Sequence, residues 1–216
     1  MKKILILTTT ILVSFSLYLL ASYSTKNISA KNLLKIEKKY GKKASKRVIL
    51  WDQMIEGAKG KKTLKQLKAV NDFFNKIKYM RDKKLWKKKD YWASPFEFMG
   101  VGAGDCEDYA IAKYFALRAI GVPEKKLKIT YVKLLHKKKN YEEAHMVLNY
   151  YHKPTSTPIV LDNAVKKLKL ANKRKDLKPI YSFNASGLWE AQNKTKSLKK
   201  QGDNKLKKWQ SMMSRI

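Results

Sequence analysis

One cysteine occurs in the 216 residues, Cys106, and it stands in the run Asp105-Cys106-Glu107-Asp108, which gathers three of the chain's 17 acidic residues into four positions. A thiol in the first turn of a helix has its thiolate stabilised by unpaired N–H groups and the helix dipole, the usual way a nucleophilic cysteine is activated. The flanking carboxylates act in the opposite sense, because they disfavour a second negative charge a few ångströms away. A bound cation resolves the conflict. Calcium takes about six to eight oxygen ligands and suits clustered carboxylates and carbonyls. Side chains adjacent on one turn diverge, so this run supplies two ligands at most. The rest come from water or the preceding stretch, where Asp90 and Asp82 are candidates.

A cysteine nucleophile needs a base. His136 adjoins Lys137, and His152 adjoins a Lys-Pro turn, so both read as solvated. His145 lies inside an apolar run, Ala144-His145-Met146-Val147-Leu148, where a satisfied core histidine is the plainer reading. Two features favour catalysis: the lone cysteine heads a helix upstream, and the next apolar run closes at Leu161-Asp162-Asn163. An aspartate there orients the imidazole, giving Cys106, His145 and Asp162 as nucleophile, base and orienter. A hairpin centred on residues 154–158 leaves Asp162 three or four residues from the partner of His145. Contact then requires an asymmetric loop or a bulge.

The elements that must position these residues follow from periodicity. Residues from about 31 to 80 read as helices. The clearest spans 65–79, with Leu64, Leu67, Val70, Phe74 and Ile77 at spacings of three and four and Thr63 as N-cap; 48–55 is another. Residues 86–104 carry aromatics and then Gly100, Gly102 and Gly104 without a period, which predicts a packed loop delivering the chain to Asp105. From Cys106 the pattern is helical, with Asp105 as N-cap, Asp108 completing a box-like start, Gly121 at the end and Pro123 just beyond. Three β-type runs follow, at 127–135, 144–151 and 158–163. The fold class is α+β: a helical N-terminal part, a helix headed by cysteine, then an antiparallel sheet.

The composition is strongly basic, with 49 Lys and Arg against 17 Asp and Glu, a formal charge of +32. Only five of the basic residues are arginine, whereas phosphate-reading surfaces favour the bidentate guanidinium. The N-terminus argues further against nucleic acid. Met1-Lys2-Lys3, an apolar run from Ile4 to Ala21, then Ser22-Tyr23-Ser24 form a secretory signal over residues 1–24, or an anchor if it is retained. The remainder is exported, and any membrane attachment runs through that segment alone. Residues 25–190 form the domain. Residues 191–216 are a lysine-rich tail or helix, in which Trp209, Met212 and Met213 fit a docked terminal helix.

Several ordered blocks carry a family resemblance: Val70-Asn71-Asp72-Phe73-Phe74-Asn75, Asp90-Tyr91-Trp92-Ala93-Ser94-Pro95, Gly104 through Phe115, Ala144 through Leu148, Val160-Leu161-Asp162-Asn163, Tyr181-Ser182-Phe183-Asn184 and Gly187-Leu188-Trp189. Together they resemble the bacterial transglutaminase-like cysteine proteinases of the LapG type. The resemblance implies a papain-like, transglutaminase-like core with Cys106 as nucleophile, His145 as base and Asp162 as orienter. It implies calcium held by Asp105 and Glu107, with Asp108 as a further ligand. It also implies a periplasmic endoprotease that cleaves the N-terminal retention module of a large surface adhesin, controlling biofilm attachment, and that is restrained by an inner-membrane receptor for cyclic di-GMP. Rival readings are a transglutaminase or peptidoglycan amidase using the same triad, and a non-catalytic basic protein that binds the cell envelope.

Overall fold

The computed structural model describes residues 28–136, 140–191, 198–200 and 207–216, with backbone alone for 187–191 and 198–200. The expected export signal at 1–24 lies outside them. Three helices open the fold: α1 (Ala30–Tyr40), α2 (Lys42–Ala58) and α3 (Thr63–Phe74). A short region follows with β1 (Lys78–Tyr79), α4 (Asp82–Leu85), α5 (Pro95–Val101) and β2 (Ala103–Gly104), then the cysteine-headed helix α6 (Cys106–Ile120). Next come β3 (Leu127–His136), β4 (Tyr141–Tyr150), β5 (Ile159–Leu161), β6 (Lys169–Leu170), β7 (Leu177–Asn184), β8 (Gly187–Ala191) and β9 (Leu198–Lys200), and last α7 (Lys207–Met213). The α+β class holds. Seven strands make one antiparallel sheet in the order β6-β5-β4-β3-β7-β8-β9, and β1 pairs with β2 in parallel.

Helix α6 is buried on nearly every side, from Cys106 and Tyr109 to Leu117 and Ile120. Such a helix has to lie between layers, and it does, with α3 and α5 against one side and β4 against another. It ends at Gly121, whose φ of 105° is open to glycine at little cost, and the Val122 N–H returns to the Leu117 carbonyl. The main core combines this helix with Leu67, Val70 and Phe74 of α3, with Ile129, Met146, Leu148 and Phe183 of the sheet, and with Trp209 and Met212 of α7. On the opposite face of the sheet Val132, Val147 and Val160 form a small cluster of their own.

Three expectations require correction. The stretch 86–104 is not a loop throughout, since α5 occupies its centre. Ser94 accepts from the Glu97 N–H at 3.3 Å, Glu97 accepts from the Ser94 N–H at 2.8 Å, and Pro95 takes the first helical position. That Ser-Pro-x-Glu start is a capping box, and its local chemistry outweighs the missing period. The helix expected at 65–79 runs instead from Thr63 to Phe74, because the chain turns at Asn75 to feed β1. Thr63 is inside it, and the cap is Lys62, without a side-chain bond. Finally, β7 lies beyond the three expected strands and carries Pro179, which cannot donate to a ladder. It is accommodated by a register shift against β3 that leaves Ile180 unpaired.

Gly104, the residue before Asp105, is packed so closely that a Cβ there would lie 2.4 Å from Asp108 Oδ2 and 2.7 Å from the Phe98 ring. Gly57 in α2 has open space around its missing Cβ. Gly104→Ala is therefore expected to lower stability by about 1–3 kcal/mol through overpacking. Gly57→Ala should raise it by up to about 1 kcal/mol through helix propensity. Urea unfolding of the two variants checks both signs.

Candidate active site

Cys106 is the first residue of α6, buried at 8% exposure, with Asp105 extended at the N-cap. The thiol donates to Glu107 Oε2 at 2.7 Å. Burial, Glu107 and Asp105 push its pKa well above the ordinary thiol range, while the Met146 N–H, directed at the sulfur, works the other way. That amide belongs to the residue after His145, so α6 delivers the sulfur to β4 at the position where the histidine stands.

His145 Nε2 and Asp162 Oδ1 lie 2.8 Å apart, both side chains buried. The register explains the pairing without a bulge between these strands. Leu148 pairs with Leu161, so Asp162, just past β5, falls opposite Val147 on the face that His145 shares. The residues are diagonal neighbours, within reach of side chains across an antiparallel pair. The gap is two residues, narrower than expected from the sequence, because the hairpin centres between residues 154 and 155 and its register continues to place His145 opposite Ala164. With Nε2 committed to Asp162, Nδ1 is the ring nitrogen left to serve the thiol.

Asp162 is held from every side. Arg174 Nη1 forms an ion pair with Oδ2 at 2.8 Å, and its guanidinium is itself fixed by Asp176 through bonds of 2.7 to 3.2 Å. The Ala164 N–H donates to Oδ1 at 2.9 Å. Burial would raise the pKa of Asp162, but the His145 hydrogen bond, His145 charge and Arg174 outweigh it and hold the group at about 2. The Asp162 carbonyl accepts from Asn75 Nδ2 at 2.8 Å. Lys113, two turns along α6 from the cysteine and 1% exposed, donates to Asn75 Oδ1 at 2.8 Å and to Asn71 Oδ1 at 2.9 Å. Asn71 in turn donates to the Lys166 carbonyl at 2.6 Å. Burial lowers the Lys113 pKa to about 7. Nucleophile helix, α3 and the Asp162 loop are thus tied through one buried ammonium.

On the other side of the cysteine the carboxylates lack compensation. One oxygen each of Asp82, Asp105 and Asp108 lie within 4.8 Å of one another, all three residues buried, and a second group of the same span joins Asp105, Cys106 and Glu107. Asp105 belongs to both. Main-chain amides supply part of the satisfaction. Tyr91 N–H donates to Asp82 Oδ2, Ala93 N–H to Asp108 Oδ1 at 2.8 Å, Asp105 N–H to Asp108 Oδ2 at 3.3 Å, and Asp82 N–H to Asp105 Oδ2 at 3.4 Å. Asp82 Oδ1 and Asp105 Oδ1 remain buried without a hydrogen-bond partner. Burial first, then neighbouring carboxylates, raise Asp82 to about 6 and push Asp105 and Asp108 up as well. Two orphaned oxygens in an all-carboxylate cluster fit a hard cation, which Asp82, Asp105 and Asp108 would hold, while Glu107 shares only Asp105 with them through the second group. Asp90 is not part of it, because its exposed carboxylate pairs with Lys208.

The sequence reading missed Arg174, Asn71, Asn75 and Lys113 as site residues. Lys113 did carry a signal, a cation inside the apolar run of α6, and Asn71, buried on α3, stands one turn before Asn75, the cap of that helix. Arg174 carried none, since its place depends on the turn after β6.

A buried thiol heading a helix, delivered to a strand whose histidine is paired with an ionised aspartate, is the arrangement of a cysteine hydrolase of papain type. Residues 50–195 match the model of the family described as bacterial transglutaminase-like cysteine proteinase. Among solved structures, the chain is similar to EGTA-treated LapG of Legionella pneumophila at 44% identity and a TM-score of 0.74, covering 87% of this chain and 97% of that one. It is similar to calcium-bound LapG of the same organism at 42% identity and a TM-score of 0.72, covering 87% and 99%. No curated protein matches the chain. The chain belongs to the bacterial transglutaminase-like cysteine proteinases.

Two outcomes follow from the opposite electrostatics. Arg174→Met leaves the buried Asp162 carboxylate with less compensation and should cost about 3–5 kcal/mol, with the Asp162 pKa moving up from about 2, as read by thermal unfolding and carboxylate NMR. For Asp82 the sign is reversed: its folded pKa lies above the unfolded value of 3.8, so its contribution is full below 3.8 and is lost as pH rises through about 6. In metal-free protein, Asp82→Asn should flatten the fall in stability between pH 4 and 7. An unchanged slope would remove Asp82 from the cluster's energetics.

Proposed function

We propose that this cysteine proteinase is a calcium-dependent periplasmic endoprotease that cleaves the N-terminal retention module of a large surface adhesin, releasing it from the cell and so controlling biofilm attachment. An inner-membrane receptor for cyclic di-GMP restrains it. The observation that carries the reading is the joining, at one helix start, of the thiol, the His145–Asp162 pair and the buried carboxylate cluster. Calcium is supported by the oxygen-only donors, by their two unpartnered atoms, and by the similarity to LapG described both as calcium-bound and as EGTA-treated. The export signal at 1–24 supports the periplasm.

In this reading His145 Nδ1 takes the proton of Cys106, and the sulfur attacks the scissile carbonyl. The Cys106 N–H, unpaired at the first helical position, faces the developing oxyanion. His145 then protonates the leaving amine, and water activated by the same ring resolves the thioester. Asp162, kept ionised by Arg174, holds the ring through Nε2 in both half-reactions. When bound, calcium supplies the positive charge that the carboxylates beside the thiol lack.

Incubating the purified protein with adhesin N-terminal fragments tests this reading. Cleavage should fall by about 10³-fold or more in Cys106→Ala with the fold intact, as for loss of a covalent nucleophile. Chelation should abolish it, with calcium restoring it. Product masses must show the gain of water, since a crosslinked product with loss of ammonia would make the enzyme a transglutaminase.

A further inference from the structure

The C-terminal segment converges on the stretch of chain that holds the carboxylate cluster. Trp209 and Met212 of α7 are buried, Trp209 stacking on Phe115 at 5.9 Å and meeting Tyr114 and Phe183 edge-on. This seats Arg215 beside residues 91–97. Its Nη2 donates to the Trp92 carbonyl at 2.5 Å, its Nε to Glu97 Oε2 at 3.2 Å, and its guanidinium lies 4.7 Å from the centre of the Tyr91 ring. Tyr91 and Glu97 are bonded to each other at 2.8 Å. From this gripped segment come the two amides, Tyr91 N–H and Ala93 N–H, that fix Asp82 and Asp108.

We propose that Arg215 is a positioning residue of the metal site, and that α7 is the strap that places it. The inference rests on the calcium reading above. Neither Arg215 nor α7 touches the cluster. They act by holding residues 91–97 so that the amides present two carboxylates in one arrangement, and the ion then meets preorganised ligands. Losing such an outer partner typically costs about 10–100-fold in metal affinity. By reciprocity, an ion that binds better when the strap is seated must favour the seated strap.

Two measurements on the full chain test the proposal. Calcium titration by calorimetry should show Arg215→Met binding about tenfold or more weakly than the wild type, with an unchanged circular dichroism spectrum. Lys208→Met, which removes only the exposed pair between α7 and Asp90, should bind within about twofold of the wild type. Hydrogen exchange of the wild type needs no variant. Amides of residues 207–216 should exchange more slowly with calcium than with chelator. A wild type that binds no calcium overturns the calcium reading and this proposal with it. A wild type that binds calcium while Arg215→Met binds equally well, or while the terminal amides exchange at one rate in both conditions, overturns the strap alone.

Discussion

Three carboxylates are buried at the start of α6 with no basic side chain paired to any of them among the described residues, and much of the local architecture answers that constraint. Isolated buried charges are too costly to leave alone, so the group must be neutralised by protons, by dipoles or by an ion. Protons are one answer, visible in the raised pKa values. Dipoles are another: the helix start and four main-chain amides all aim at carboxylate oxygens. Neither uses Asp82 Oδ1 or Asp105 Oδ1, and those two atoms define what remains for a cation to satisfy. Gly104 belongs to the same solution, since Asp108 and Phe98 occupy the room a side chain would need.

The two halves of the site are electrostatic opposites. Around Asp162 the protein supplies its own cation, Arg174, fixed in turn by Asp176, and the carboxylate stays ionised to about pH 2. Around Cys106 no such cation is built in among the described residues, and the thiol, Asp105 and Asp108 are pushed toward their protonated forms. An orienter must hold one charge state throughout a catalytic cycle, so permanent compensation suits it. A nucleophile activated by an external ion keeps its reactivity conditional on that ion. In the present structure the thiol hydrogen bond goes to Glu107, a carboxylate within the span of a metal-ligating group.

How much was legible in the sequence depended on whether a residue's role is local. Cys106 at a helix start, Gly121 at its end and Asp105–Asp108 as a box-like start follow from chemistry within one turn, and these features stand. His145 and Asp162 required a strand register, which loop composition sets only within a residue or two. They were named as partners, yet with a gap wider than the real one. Asp82 stands 23 positions before Asp105 and joins it only because β1 and β2 run side by side, so spacing alone does not separate it from Asp90. Arg174 is legible only once β6 and the turn after it are in place. The α5 helix is a case of another kind: Ser94-Pro95-Phe96-Glu97 carries a full local start signal, but seven residues are too few to show a period.

One member of the strongly basic composition lies inside the fold. Among the described residues nearly all the lysines are solvated, but Lys113 is 1% exposed, and its partners are amide oxygens instead of carboxylates. A buried ammonium without an ion pair is unfavourable on its own, so its retention has to be understood through what it organises. It fixes the side-chain amides of Asn71 and Asn75 with their oxygens inward, which turns both NH2 groups toward the loop carrying Asp162 and Lys166. A neutral side chain of the same size would leave those amides free to flip. One buried cation, two turns from Cys106 and on its helix, thereby sets the position of the Asp162 main chain, while a second, Arg174, keeps its carboxylate ionised.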